Sequence, residues 1–187
     1  MKSWILLLIG LITITVAGCK DNEENSHLKV SLEIRKFDSS KIDWTRFDAY
    51  EPAMGELSNS FEEREELVFY LKLKNEGVAT KEVSWAECPF ANVKVYNSDD
   101  VMVWESYKIF CGGAAFIREF VLYAGEYKEK YFDWNQELTD QPGVFLPPGD
   151  YRAVTEVSYY VGPRGSREPI SQTLQEQVFS VTAIETR

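Results

Sequence analysis

Few side chains in this sequence could carry out covalent or acid–base chemistry, and their spacing suits it poorly. His27 is the only histidine. It sits between a polar stretch and an alternating segment, so a Ser-His-Asp or Cys-His arrangement would depend on a solvated imidazole. Glu62, Glu63, Glu65 and Glu66 cluster ahead of a strand, but such runs form a solvated face, and spacing alone sets no second carboxylate opposite them for acid–base work. Asn97, Asp99 and Asp100 could offer oxygens to calcium, yet they lack the ligand count of a dedicated loop. Cys88 and Cys111, with no histidine beyond His27, cannot assemble a thiolate–imidazole zinc site. No phosphate loop is present, and the CGG at Cys111 reads as a turn. The expectation is a protein that is not an enzyme, with no catalytic residue, no metal and no cofactor.

The third cysteine has a different setting. Lys2 and an apolar run over residues 4–16 precede Ala17, Gly18 and Cys19. The run is too short to span a bilayer and suits the hydrophobic region of an export signal. Small residues directly before a cysteine resemble the bacterial lipobox, which makes Cys19 the lipidated first residue of the mature chain. Several acyl chains, each contributing about 0.8 kcal/mol per buried methylene, hold a soluble domain on a membrane durably. The expected organisation is a leader over 1–18, an acidic tether over 19–26 and one domain over 27–187. The tether's CKDNEE resembles the signal that sends some lipoproteins to the outer cell surface, so the cell envelope is the expected location, through the outer membrane or its surface.

Composition agrees with export. Lys and Arg number 20 against 30 Asp and Glu, a formal net charge of −10, which excludes an electrostatic nucleic-acid binder. Assigning Cys19 to lipid leaves Cys88 and Cys111 as an even pair in an oxidising compartment. They flank a hairpin, and a bridge there would contribute about 3 kcal/mol. A disulfide and two buried free thiols both remain open.

HLKVSLEIRKF alternates Leu28, Val30, Leu32 and Ile34 with polar residues, and ELVFYLKLKNEG repeats the pattern with Leu67, Phe69, Leu71 and Leu73, so both read as half-buried strands. VKVYNSDDVMVWES predicts a hairpin turning at Asn97, Ser98, Asp99 and Asp100, and FVLYAGEYKEKYFDW predicts a similar one around Gly125. LPPGDYRAVTEVSYYVG and LQEQVFSVT supply later strands. Short strands at turn-punctuated spacing, without helical periodicity, imply an all-β, antiparallel immunoglobulin-like β-sandwich of about seven to nine strands. Trp85, Trp104 and Trp134 then fill the space between sheets, and Tyr151, after Pro147, Pro148 and Gly149, takes the place of a tyrosine-corner residue.

Four of these segments together resemble the intracellular proteinase inhibitor family of BsuPI type. They are FYLKLKN (69–75), VKVYNSDDVMVW (93–104), LYAGEYKEKYFDW (122–134) and LPPGDY (146–151). The resemblance covers about residues 66–160. Ala124 replaces the family's turn proline, and Cys88 and Cys111 are additions. The resemblance implies an immunoglobulin-like fold and an inhibitor-like protein-interaction role.

The segment over residues 38–61 is longer than a sandwich turn requires and carries Trp44, Phe47 and Tyr50. Long loops of this kind tend to be functional, and its aromatics are too apolar to stay solvated. They serve as a cover on the core or as a contact surface. Binding candidates are therefore Trp44, Phe47 and Tyr50 together with the tip Asn97, Ser98, Asp99 and Asp100. Expected partners are a membrane through Cys19 and an unidentified protein, a protease by the family resemblance. The alternative is a glycan-binding envelope module, suggested by the many aromatic rings.

Overall fold

A computed structural model describes residues 27–41, 54–86, 90–106 and 117–184. Cys19, Trp44, Phe47, Tyr50, Cys88 and Cys111 lie outside the described residues, as do the leader and tether.

The alternating segments form strands with the predicted faces inward. The first is β1 (Leu28–Phe37), followed by a single turn of 3-10 helix at Ser39–Lys41, then β2 (Met54–Leu57), β3 (Ser60–Glu62) and β4 (Leu67–Asn75). Next come β5 (Lys81–Ala86), β6 (Ala91–Asn97), β7 (Met102–Glu105), β8 (Ile117–Leu122) and β9 (Tyr127–Trp134). The chain continues through β10 (Glu137–Leu138), β11 (Gln141–Phe145), β12 (Gly149–Val161), β13 (Glu168–Thr173) and β14 (Gln177–Thr182). Fourteen strands are described against the seven to nine expected. The excess consists largely of very short strands, such as the β10–β11 pair, whose periodicity is too brief to read.

One sheet runs β2-β1-β4-β9. In the other, the long β12 is the spine, because its two halves take different neighbours on each edge. Residues 149–153 pair with β14 and residues 156–161 with β13, while the opposite edge pairs with β6 and then β5, which β8 extends. Pairing is antiparallel except that β3 runs parallel to β14. The result is an immunoglobulin-like sandwich. Leu67, Phe69, Leu71 and Leu73 of β4 are fully buried, and so is Val68 on the other face. With Tyr70 also buried, the first half of β4 is covered on both faces, while Lys72 and Lys74 keep the second half half-buried, as the alternation suggested.

The core is an aromatic stack that bridges the sheets. Phe69 lies 5.3 Å from Trp104 and 6.1 Å from Trp134, and the two tryptophans are 4.7 Å apart. Phe179 adds contacts to Phe69, Phe61 and Tyr151. Stacked rings at these separations contribute about 0.5–1.5 kcal/mol per pair beyond area burial. Tyr151 donates its hydroxyl to the Pro147 carbonyl at 2.7 Å, closing the corner predicted for it.

One expectation needs correction. The Gly125 segment does not close a hairpin: β8 pairs with β5 in one sheet, whereas β9 pairs with β4 in the other. Residues 123–126 form an arch across the sandwich. Turn chemistry shows that the chain reverses there, with Gly125 at φ 80° and Glu126 N–H donating to the Tyr123 carbonyl at 3.0 Å. It cannot show which strand captures the outgoing chain. Leu122 on one side and Phe132 and Trp134 on the other are all buried in the shared core, which requires the crossing.

Truncating Phe69 to Ala removes the ring at the centre of the stack and is expected to cost about 3–5 kcal/mol. Tyr151→Phe, which loses only the corner hydrogen bond, is expected to cost about 0.5–1.5 kcal/mol. Urea midpoints of both variants check the two values, and equal losses would contradict the assignment.

Candidate binding surface

The predicted tip at Asn97–Asp100 is present and is a built turn. The Asn97 side-chain carbonyl accepts the Asp99 and Val101 amides at 3.0 and 2.9 Å, and Asp100 takes a left-handed φ of 60°. Arg152 donates to Asp100 at 2.8 Å and to Glu176 at 3.0 Å while its guanidinium lies over the Tyr96 ring. The Asn97 side chain is thus occupied in closing the turn and Asp100 in holding it to Arg152 of β12, and Ser98 and Asp99 stand at the exposed apex. Among the described residues no group of three or more His, Cys, Asp or Glu side chains is placed to hold a metal ion.

A larger feature was not anticipated from the sequence. β8 and β9 end their respective sheets among the described strands, and a cleft of about 730 Å³ lies between them. Its lining combines the rings of Trp85, Phe120 and Phe132 with Arg118, Glu119, Lys128, Glu129 and Asp133. The Trp85 ring packs on Phe90 and Phe120 at 4.1 and 4.5 Å, and its indole N–H finds no acceptor among the described residues. Glu119 pairs with Arg167 of the β12–β13 connection, and that bond holds its carboxyl below the usual range. On the other wall, the Tyr70 hydroxyl donates to Glu129. Burial, reinforced by that carboxylate, raises the Tyr70 phenol and keeps it neutral. Charges of both signs over an aromatic floor suit side-chain recognition. Spacing could not reveal this cleft, because the strands that form it are brought together only by the arch.

A second hollow, about 450 Å³, is lined by Glu66, Asp133, Trp134 and Glu137 near the opposite end. That end is locked by Gln136, a residue that no local sequence pattern singles out. Fully buried at a left-handed φ of 67°, it donates to the Glu62 and Glu65 carbonyls at 2.8 and 2.9 Å. Its side-chain carbonyl accepts the amide of Arg64, itself at φ 64°. The glutamate run is therefore part scaffold. Glu65 also receives Lys36 at 3.0 Å, and its carboxylate accepts the Glu62 amide.

No protein-family model matches the chain, and no curated protein matches it. Solved structures align with it at low similarity. A Bordetella pertussis protein described as ApaA shows 11% identity and a TM-score of 0.39, covering 82% of this chain and 93% of that one. The C-terminal domain of wzt shows 12% identity and a TM-score of 0.39, covering 83% and 74%. The ASH/PapD-like domain of human CEP192 shows 13% identity and a TM-score of 0.31, covering 100% of each chain.

Burial first, and then the neighbouring Asp133 charge, push the Glu66 carboxyl above its ordinary value. A carboxyl raised in the folded state makes the native protein bind more protons than the unfolded one, so this group's contribution to stability falls as pH rises through that window. Glu66→Gln is expected to raise the urea midpoint near neutral pH and to lose the advantage below about pH 4, where the unfolded carboxyl is also protonated. Paired titrations at the two pH values check this, and a lowered midpoint at neutral pH would contradict it.

Proposed function

We propose that the chain is an exported, lipid-anchored β-sandwich that acts by binding, does no chemistry of its own, and meets a protein partner in the cell envelope at the cleft between β8 and β9. The observation that carries this reading is the cleft itself, where aromatic rings and charges of both signs stand between the outermost described strands of opposite sheets. Mixed charge over an aromatic floor favours a peptide or protein surface. The resemblance to the BsuPI-type family supports an inhibitor-like role, with a protease as the kind of partner it implies. Among the described residues Trp85, Trp104 and Trp134 are buried, and the exposed rings of Tyr123, Tyr127 and Tyr160 keep a glycan as the alternative partner. The lipobox-like residues ahead of Cys19 support the anchor, and the acidic tether supports the outer membrane or cell surface.

Two measurements test the two halves of the reading. Cys19→Ser is expected to leave the domain folded and move it from the detergent phase to the aqueous phase; unchanged partitioning would remove the anchor. A photo-crosslinking residue at Lys128, on the cleft wall, is expected to give a discrete adduct in the envelope, whereas one at exposed Val101 is not. Equal adducts at both positions, or none at 128, would remove the cleft as the contact surface.

A further inference from the structure

We infer that the end of the sandwich beside the tether rests on the bilayer, with residues 78–79 and 123–124 touching the lipid interface. The inference builds on the lipid anchor proposed above. The described chain begins at His27, and this residue packs directly on the β4–β5 connection: a Cβ added to Gly77 would lie 2.8 Å from that of His27. The Glu76 amide donates to the His27 carbonyl at 2.7 Å. The tether therefore enters next to residues 76–80. The arch over residues 123–126 is at the same end, because the Asn75 side-chain amide donates to both the Ala79 and Leu122 carbonyls, at 2.8 and 3.0 Å.

Both loops present apolar residues at this end. Val78 is 97% exposed, Tyr123 60% and Tyr127 49%, with Ala79 and Ala124 also exposed. Nearby charges are largely engaged. Glu76 takes both Lys29 and Lys74, at 3.9 and 3.7 Å, Glu126 caps the arch by accepting the Tyr123 amide at 3.1 Å, and Lys72 lies 4.3 Å from the centre of the Tyr127 ring. Tyrosines flanked by lysines that can extend to water suit the boundary between headgroups and acyl chains.

Reach selects this end. The eight peptide steps from Cys19 to His27 span at most about 28 Å. The nine residues of β4 run about 30 Å. For the opposite end to touch the bilayer, the tether would have to lie fully extended along the domain, whereas the tether-side loops need almost none of its length. With a net charge of −10, the chain gains nothing from anionic lipid, so the contact is apolar and follows from the high local concentration that the anchor imposes.

Hydroxyl-radical footprinting of the lipidated full-length protein on phosphatidylcholine vesicles, against Cys19→Ser protein in solution, tests the contact. Co-flotation with the vesicles reports the anchor separately. Oxidation of Val78 and Tyr123 is expected to fall several-fold on vesicles, while that of Val101 and Val144, exposed near the far end, is unchanged. Flotation without protection of Val78 and Tyr123, or with equal protection of Val101, overturns the docking and leaves the anchor standing. Failure to float overturns the anchor and the docking together.

Discussion

Asn75 is a fully buried amide on which the crossing between the two sheets depends. Its side chain accepts the Gly77 amide at 3.0 Å and donates to the Ala79 and Leu122 carbonyls. Its backbone donates to the Glu126 carbonyl at 2.9 Å and accepts the Gly125 amide at 2.8 Å. Leaving any one of these buried groups unpaired would cost about 1–3 kcal/mol, so the set holds as a unit. Through it the end of β4, the loop into β5 and the arch from β8 to β9 become one rigid assembly. Without that assembly, β8 and β9 would lose the connection that sets their cleft and presents the tether-side loops.

The opposite end is built on the same principle with a different amide. Gln136 joins the β9–β10 connection to the turn before β4, and its backbone carbonyl accepts the Leu146 amide at 2.9 Å. Two residues that are not glycine, Arg64 and Gln136, adopt left-handed conformations there, a strain held in place by the bonds between them. Between these two polar clamps the core is almost wholly aromatic and aliphatic. The indole of Trp104 occupies its centre without an acceptor among the described residues, whereas Trp134 donates to the Glu137 carbonyl at 2.8 Å. Among the described residues Trp104 is therefore held by volume and stacking.

Much of this architecture is legible in the sequence because period-two alternation is a local signal. The inward faces of β1 and β4, the tip at Asn97–Asp100, the tyrosine corner and the buried tryptophans all follow from residues that are near neighbours in the chain. The arch does not, because the turn residues around Gly125 fit a hairpin and a crossing equally well, and only the far partners of β8 and β9 decide between them. Gln136 gives no local signal either: its partners Glu62 and Glu65 lie more than seventy positions away. The cleft is hidden for the same reason, since its walls belong to different sheets.

The architecture puts two surfaces in the same neighbourhood, a mixed-charge cleft on one edge and an apolar loop end beside the tether, and Asn75 couples them. Amide hydrogen exchange of Asn75→Ala, followed residue by residue, tests that coupling. Residues 76–80 and the Gly125 amide are expected to lose protection together while the Tyr151 corner keeps its own. Loss confined to residues 76–80, with Gly125 as protected as in the parent protein, would contradict it.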